Sequence, residues 1–290
     1  MRLDAYLAQE YPEHSRSTWA KLIRRGDVKI NGRVTTSVSS TVTEIDRVIV
    51  KETTEELRAL DLPVIYQDDN VIVINKPIGV LTHSKGVLND EFTVADFIKS
   101  HSPLQATNLQ ENNRFGIVHR LDRATSGVII GAKNDETRKS LQKQFADRKA
   151  KKTYLAIVQK MPKEPAARID LPIARDPKQP SRFRIDPKGK PAITDYRTVQ
   201  TFSDGAALLE LKPLTGRTHQ LRVHLAYIGS PIVGDPVYSL QGRSLQNLQK
   251  GRMFLHAAEL EITIPSGERK TFTAELPEDF RTEIKKRSTK

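Results

Sequence analysis

The chain has 290 residues, 37% of them hydrophobic and 28% charged, the make-up of one large globular domain or two unequal ones and not of a disordered tail. It holds no cysteine, which excludes a disulfide framework, a thiol nucleophile and thiolate metal sites. Its 47 lysines and arginines against 35 aspartates and glutamates leave a net charge of +12, which points to a polyanionic partner such as nucleic acid.

The N-terminal segment "RLDAYLAQEY" places Leu3 and Leu7 at helical spacing. It carries charges where a signal peptide needs an apolar run, and no apolar run in the chain approaches the roughly 20 residues of a membrane span. A cytoplasmic protein without membrane association is expected. "HSRSTWAKLIRRG" offers Ser15 or Ser17 as an N-cap, apolar Trp19, Leu22 and Ile23, and Gly26 as a stop. "DVKINGRV" reads as two short strands around an Asn31-Gly32 turn, and "DRVIV" as a third strand. Residues 1–50 thus form a small N-terminal α/β unit. Its second helix gathers Arg16, Lys21, Arg24 and Arg25, with Lys29 just beyond, as an exposed basic face.

A polar stretch over residues 51–62 reads as a linker, and residues 63–290 as a larger domain. "VIYQDDNVIVINKP" suggests two strands around an acidic turn; "TVADFIKSH" and "DETRKSLQKQFADRK" suggest helices, with Leu141 and Phe145 on one face of the second. "KTYLAIVQ", "ITDYRTVQ" and "AALLELK" read as strands. "ARDPKQPSRFRIDPKGKP", rich in proline and charge, reads as a long mobile hairpin loop. "RTHQLRVHLAYIG" has Leu221, Leu225 and Ile228 at helical spacing, ended by Gly229. A helix is expected near "SLQNLQKGR". "ELEITIP" and "KTFTAEL" close the chain as strands paired through Ser266-Gly267. Helices and strands do not alternate regularly, so the expected class is α+β with a mixed, mainly antiparallel sheet.

Several chemistries are excluded. "HRLD" lacks the spacing and companion motifs of a kinase catalytic loop. His219 and His224 are five apart without an intervening glutamate, unlike a zinc-protease helix, so no metal is expected. No P-loop or dinucleotide fingerprint exists, so no nucleotide cofactor is expected. Glycosidases want two facing carboxylates, and Asp122 in "HRLDRATSG" is flanked by arginines instead. From these residues alone Asp122 is either part of a salt-bridged turn or the centre of a site.

Four ordered segments decide between them: "NKPIGVLTH", "GIVHRLDRATSGVIIGAKN", "KKTYLAIV" and "LKPLTGRTHQLRVHLAYIGSPIVGDPVY". Together they resemble the RluA-like RNA pseudouridine synthases, which detach uracil from its ribose and rejoin it through carbon 5. The first fifty residues resemble the S-four RNA-binding module. The resemblance implies an isomerase that needs no cofactor and acts on RNA, with large-subunit ribosomal RNA favoured over transfer RNA, and a monomer is expected. It puts the catalytic aspartate on Asp122, as nucleophile or general base, with Arg222 as its cation and Tyr154 stacking on the target uracil. Leu221 would close the other side of the base. Arg120 would fill the space left by the extruded nucleotide, Arg217 would edge the pocket within reach of phosphate, and His119 would brace the loop. Lys76 and Pro77 mark a segment read as mainly structural. The alternative is an RNA-binding assembly factor or chaperone with a non-catalytic synthase-like domain; a second rival is a hydrolase that releases the base.

Overall fold

The computed structural model describes residues 1–12, 14–50, 60–84, 91–103, 114–239 and 252–289. The expected linker lies almost wholly outside these, as does the helix expected near "SLQNLQKGR". The chain forms two compact units, one built from Met1–Leu60 and Ser84–Phe92 and the other from Asp61–His83 and Thr93–Lys290.

In the first unit, helices α1 (Leu3–Glu10) and α2 (Arg16–Arg25) bury Leu3, Leu7, Trp19, Leu22 and Ile23 around Val28. Ser15 caps α2 by accepting the Thr18 N–H, and Gly26 ends it in the left-handed region at φ 86°. Strands β1 (Val28–Ile30), β2 (Arg33–Thr35) and β3 (Val48–Val50) form an antiparallel sheet in the order β2-β1-β3. Asn31 and Gly32 both take positive φ, as the tight hairpin turn between β1 and β2 requires.

The second unit is organised by one large sheet. Its elements in chain order are β4 (Val64–Gln67), β5 (Val71–Lys76), α3 (Val94–Ser100), β6 (Ser126–Ala132), α4 (Asp135–Ala146), β7 (Lys151–Val158) and β8 (Ala166–Asp170). There follow β9 (Ile173–Arg175), β10 (Phe183–Ile185), β11 (Ile193–Thr201), β12 (Ala207–Pro213), α5 (Gln220–Tyr227), β13 (Leu255–Thr263), β14 (Arg269–Thr273) and α6 (Glu278–Ser288). The sheet order is β4-β5-β6-β13-β7-β12-β11-β8, with β14 paired to β13. Among the described strands the β6–β13 pair is parallel and the other pairs are antiparallel, which bears out the expected α+β class. Apolar clusters hold the sheet: one joins Val71, Val128, Ile130, Leu141, Leu260 and Phe272, another Ala156, Leu209, Leu221, Leu225 and Leu255, and another Ile157, Leu208 and Phe280.

Strand β6 is buried at every residue and carries the loop of Asp122 at its leading end. Gly127, at φ 116°, has no room for a side chain, because a Cβ there would sit 2.1 Å from the Ala257 carbonyl oxygen of β13. The glycine of the "TSG" triplet is thus the condition for the parallel β6–β13 contact that seats the loop.

The segment expected as a long mobile hairpin loop is a hairpin, but one with paired strands and a packed apolar side. β9 and β10 pair antiparallel as a hairpin, and Phe183 and Ile185 pack beside Ile173, Ala192, Val223 and Tyr238. The alternation Arg182-Phe183-Arg184-Ile185 is a strand period hidden among prolines and charges.

Candidate active site

The "NKPIGVLTH" segment clamps the Asp122 loop from both sides. Thr82 Oγ1 donates to the Leu121 carbonyl at 2.8 Å and accepts the Leu121 N–H at 3.2 Å. On the far side of Asp122, the Arg123 carbonyl accepts from the Gly79 N–H at 2.8 Å and from Lys76 Nζ at 3.4 Å. The Lys76 ammonium, fully buried, also donates to the carbonyls of Pro77 and Val80 at 2.8 and 3.0 Å. Burial pulls its pKa down to about 7, against which the Asp122 charge acts. A Thr125 N–H bond to the Asp122 carbonyl, 3.0 Å, closes the turn.

Asp122 lines a cleft of about 980 Å³ in the second unit. Its Oδ2 accepts from Arg222 Nη1 at 3.1 Å and lies 3.7 Å from His219 Nε2, while Oδ1 accepts no hydrogen bond from the described residues. Arg222 projects from α5 and is itself buried. Its Nε and Nη2 grip both oxygens of Asp235 at 2.7 and 2.9 Å, and its guanidinium lies over the Tyr238 ring at 5.1 Å. Burial alone would weaken its hold on the proton; Asp235 and then Asp122 more than reverse this and keep its pKa above the ordinary value. The Asp235 Oδ1 also accepts the N–H groups of Val237 and Tyr238 at 2.8 and 3.1 Å. One guanidinium therefore serves two carboxylates, and the trio carries a net negative charge that the Asp122 end presents to the cleft.

Tyr154 reaches the same cleft from β7. Burial, and secondarily the Asp122 charge, hold its hydroxyl above the usual phenol range, so it is neutral at working pH. Leu221, on α5, is buried and lines the cleft. Arg217 is exposed at the edge, its Nε donating to the Pro191 carbonyl at 3.0 Å. Arg120 is exposed, makes no ion pair with Asp122, and has its Nη1 3.4 Å from His83 Nε2. His119 Nε2 accepts the Ile130 N–H at 3.1 Å and its ring stacks on Phe145 at 4.6 Å. Burial, with the Lys152 charge second, pushes its pKa down to about 3. That geometry ties the loop to β6 with a neutral imidazole.

In the first unit, Arg16 is held by Asp4 at 2.7 Å and Arg25 donates to Asp27. Lys21, Arg24 and Lys29 are exposed and form no ion pair with any described residue.

Some residues of the cleft carry no signal that spacing alone reveals. Asp235 stands in "GDPVY" behind the helix, where it reads as turn chemistry, and its role appears once Arg222 is found between it and Asp122. His219 is the residue before α5, in the left-handed region at φ 57°. Its Nδ1 shares a hydrogen bond of 2.9 Å with the Tyr238 hydroxyl, which also accepts the Phe183 N–H at 2.9 Å. Its Nε2 is the nitrogen that faces Asp122.

A charged carboxylate beside an aromatic side chain, in a cleft rimmed by arginines, is a site for an enzyme that works on a base withdrawn from its nucleic-acid stack. A family model described as RNA pseudouridylate synthase matches residues 70–227, and an S4 domain model matches residues 1–48. The chain belongs to the RNA pseudouridylate synthase family, and is an RNA-acting isomerase. A ribosomal large subunit pseudouridine synthase D of Borreliella burgdorferi is 38% identical, with 97% of this chain and 87% of that protein aligned. An uncharacterized RNA pseudouridine synthase of Chloroflexus aurantiacus is 40% identical over 96% of this chain and 87% of its own length. Among solved structures, human RNA pseudouridylate synthase domain containing 4 superposes with a TM-score of 0.60 at 27% identity, covering 77% of this chain and 92% of that one. No helix of the described residues is long and apolar enough to cross a membrane.

Proposed function

We propose that the protein converts specific uridines of large-subunit ribosomal RNA to pseudouridine, with Asp122 as the catalytic carboxylate. The substrate class is drawn from relatives bearing the name ribosomal large subunit pseudouridine synthase D. Transfer RNA is the other class to be tested. The observation that carries the catalytic reading is the Asp122–Arg222–Asp235 arrangement, in which one buried guanidinium orients Asp122 through Oδ2 and leaves Oδ1 unbonded.

The target nucleotide is extruded from its stack and its uracil lies on the Tyr154 ring, with Leu221 on the opposite side. Asp122 acts as nucleophile or general base while the bond from C1′ to N1 breaks. The uracil turns, C1′ bonds to carbon 5, the carbon-5 proton leaves and N1 takes one up, so every heavy atom is retained. Arg120 fills the vacated stack, its planar guanidinium suiting both bases and phosphates. Arg217 meets phosphate at the edge, and His119 holds the loop. Residues 1–50 form the RNA-binding domain, with Arg16, Lys21, Arg24, Arg25 and Lys29 as its basic face; 51–62 are the linker and 63–290 the catalytic domain. The protein works as a cytoplasmic monomer.

The test is Asp122→Ala in a strain lacking the native enzyme, read by tritium release from carbon-5-labelled uridine and by chemical mapping of pseudouridine. Release is expected to vanish in the variant; full modification by it would overturn the assignment. Free uracil or abasic RNA among the wild-type products would favour the hydrolase instead.

A further inference from the structure

Two lysines stand near the site, Lys76 fully buried and Lys152 half-buried, and the fold treats them differently. An ammonium has three N–H donors and, in low dielectric, needs an acceptor for each or a counter-charge. Lys76 finds three backbone carbonyls. Lys152, which lines the active-site cleft, finds one, the Thr215 carbonyl at 3.3 Å. Among the described residues no carboxylate lies within ion-pair distance of it. Its neighbour Lys151, on the opposite face of β7, is paired with Glu261 at 3.2 Å. Burial pulls the Lys152 pKa down to about 8, as expected of an ammonium whose lost hydration is not made good.

Gly216 stands across from this ammonium, has no positive φ, and a Cβ there would meet only Lys152 Nζ, at 4.0 Å. Lys152, Gly216 and Arg217 line the same cleft.

Lys152 and Tyr154 are two residues apart on β7, so they share a face and their Cα atoms are about 7 Å apart. We propose that Lys152 is a phosphate-binding residue, its two spare N–H donors taking the backbone phosphate next to the uridine that lies on Tyr154. The inference rests on the reading of Tyr154 as the base platform. RNA supplies the missing counter-charge, and the site is fully compensated only when substrate is bound. A contact to a phosphate also favours no base over another, so Lys152 adds affinity and register without sequence preference.

The test uses a large-subunit ribosomal RNA hairpin that the wild-type protein binds, prepared with a single neutral methylphosphonate at each phosphate flanking the uridine in turn. Lys152→Gln is expected to weaken binding about 10-fold and to lower the slope of log K against log salt by about 0.7, the contribution of one single-strand phosphate. One methylphosphonate should weaken wild-type binding by a similar factor and leave the Lys152→Gln protein unaffected. Lys152→Arg, which keeps the cation, should retain both the salt slope and the sensitivity to that phosphate; it also guards against a folding defect in the glutamine variant. Independent losses at every flanking phosphate would overturn the proposal. So would a slower reaction at saturating RNA with an unchanged salt slope, which would place Lys152 on the base instead. Wild-type tritium release from the same hairpin is read separately: its absence would defeat the functional reading, whereas the phosphate cycle judges Lys152.

Discussion

Asp235 offers the sharpest test of how the site is held. The Asp235 side chain is 0% exposed and the Arg222 side chain 5%. Replacing Asp235 with asparagine keeps the shape and one oxygen, which can still accept the Val237 and Tyr238 N–H groups. It turns the second oxygen into an amide that faces the Arg222 Nε–H donor to donor, and removes the buried counter-charge. Breaking a buried pair from one side costs up to about 3–5 kcal/mol, because the partner charge stays behind in low dielectric with only the partly exposed Asp122 left to balance it. With a urea slope of about 2–3 kcal/mol/M, the unfolding midpoint should fall by roughly 1–2 M. Far-UV circular dichroism is the probe to use, since the chain's one tryptophan, Trp19, belongs to the first unit and reports on that unit. Adding Arg222→Met to Asp235→Asn removes the stranded charge and should restore part of the lost stability. A single Asp235→Asn variant within about 1 kcal/mol of wild type would refute the reasoning, since Asp235 would then not be what balances the guanidinium.

Gly127→Ala must push a Cβ against the Ala257 backbone at a φ of 116°, so β6 and β13 should separate at a cost of about 3 kcal/mol; wild-type stability in urea would show that the contact yields easily. Burial holds the folded pKa values of His119 and His256 down to about 3 and about 4, below the usual 6.5. Between pH 6.5 and 4 the unfolded chain therefore binds more protons than the folded one. Stability should be fully present above about pH 6.5 and decline toward pH 4, by up to about 1.4 kcal/mol per pH unit for each histidine; urea midpoints that stay level from pH 7 to pH 5 would contradict this. In the first unit, Lys21→Ala with Arg24→Ala should flatten the salt dependence of RNA affinity more than Arg16→Ala, because Asp4 already occupies Arg16. An equal effect of Arg16→Ala would mean that RNA displaces Asp4.

How far the site was legible in the sequence depends on whether a residue's role is fixed locally. Ser15, Gly26 and the Asn31-Gly32 turn act within a few residues of themselves, so their neighbours suffice to read them. Asp122 and Arg222 are one hundred positions apart, and only the ordered motif set brings them together before a structure does. Lys152 shows the limit. A pair of lysines at the head of a strand must point to opposite faces, but which one enters the cleft depends on the pairing of β7 with β12 and β13. The paired strands of the β9–β10 hairpin were obscured for a related reason: prolines and charges dominate the segment, while its order is set by Phe183 packing beside Tyr238. Asp235 alters the chemistry most. With Arg222 alone, Asp122 would be a neutralised member of an ion pair, a poor nucleophile and a poor base. With Asp235 taking two of the guanidinium's donors, Arg222 is balanced from behind and gives Asp122 a single hydrogen bond to one oxygen. The cation therefore orients the carboxylate through one oxygen, and on the proposed reading of Asp122 as the catalytic group the other oxygen is the one that meets the ribose or the base.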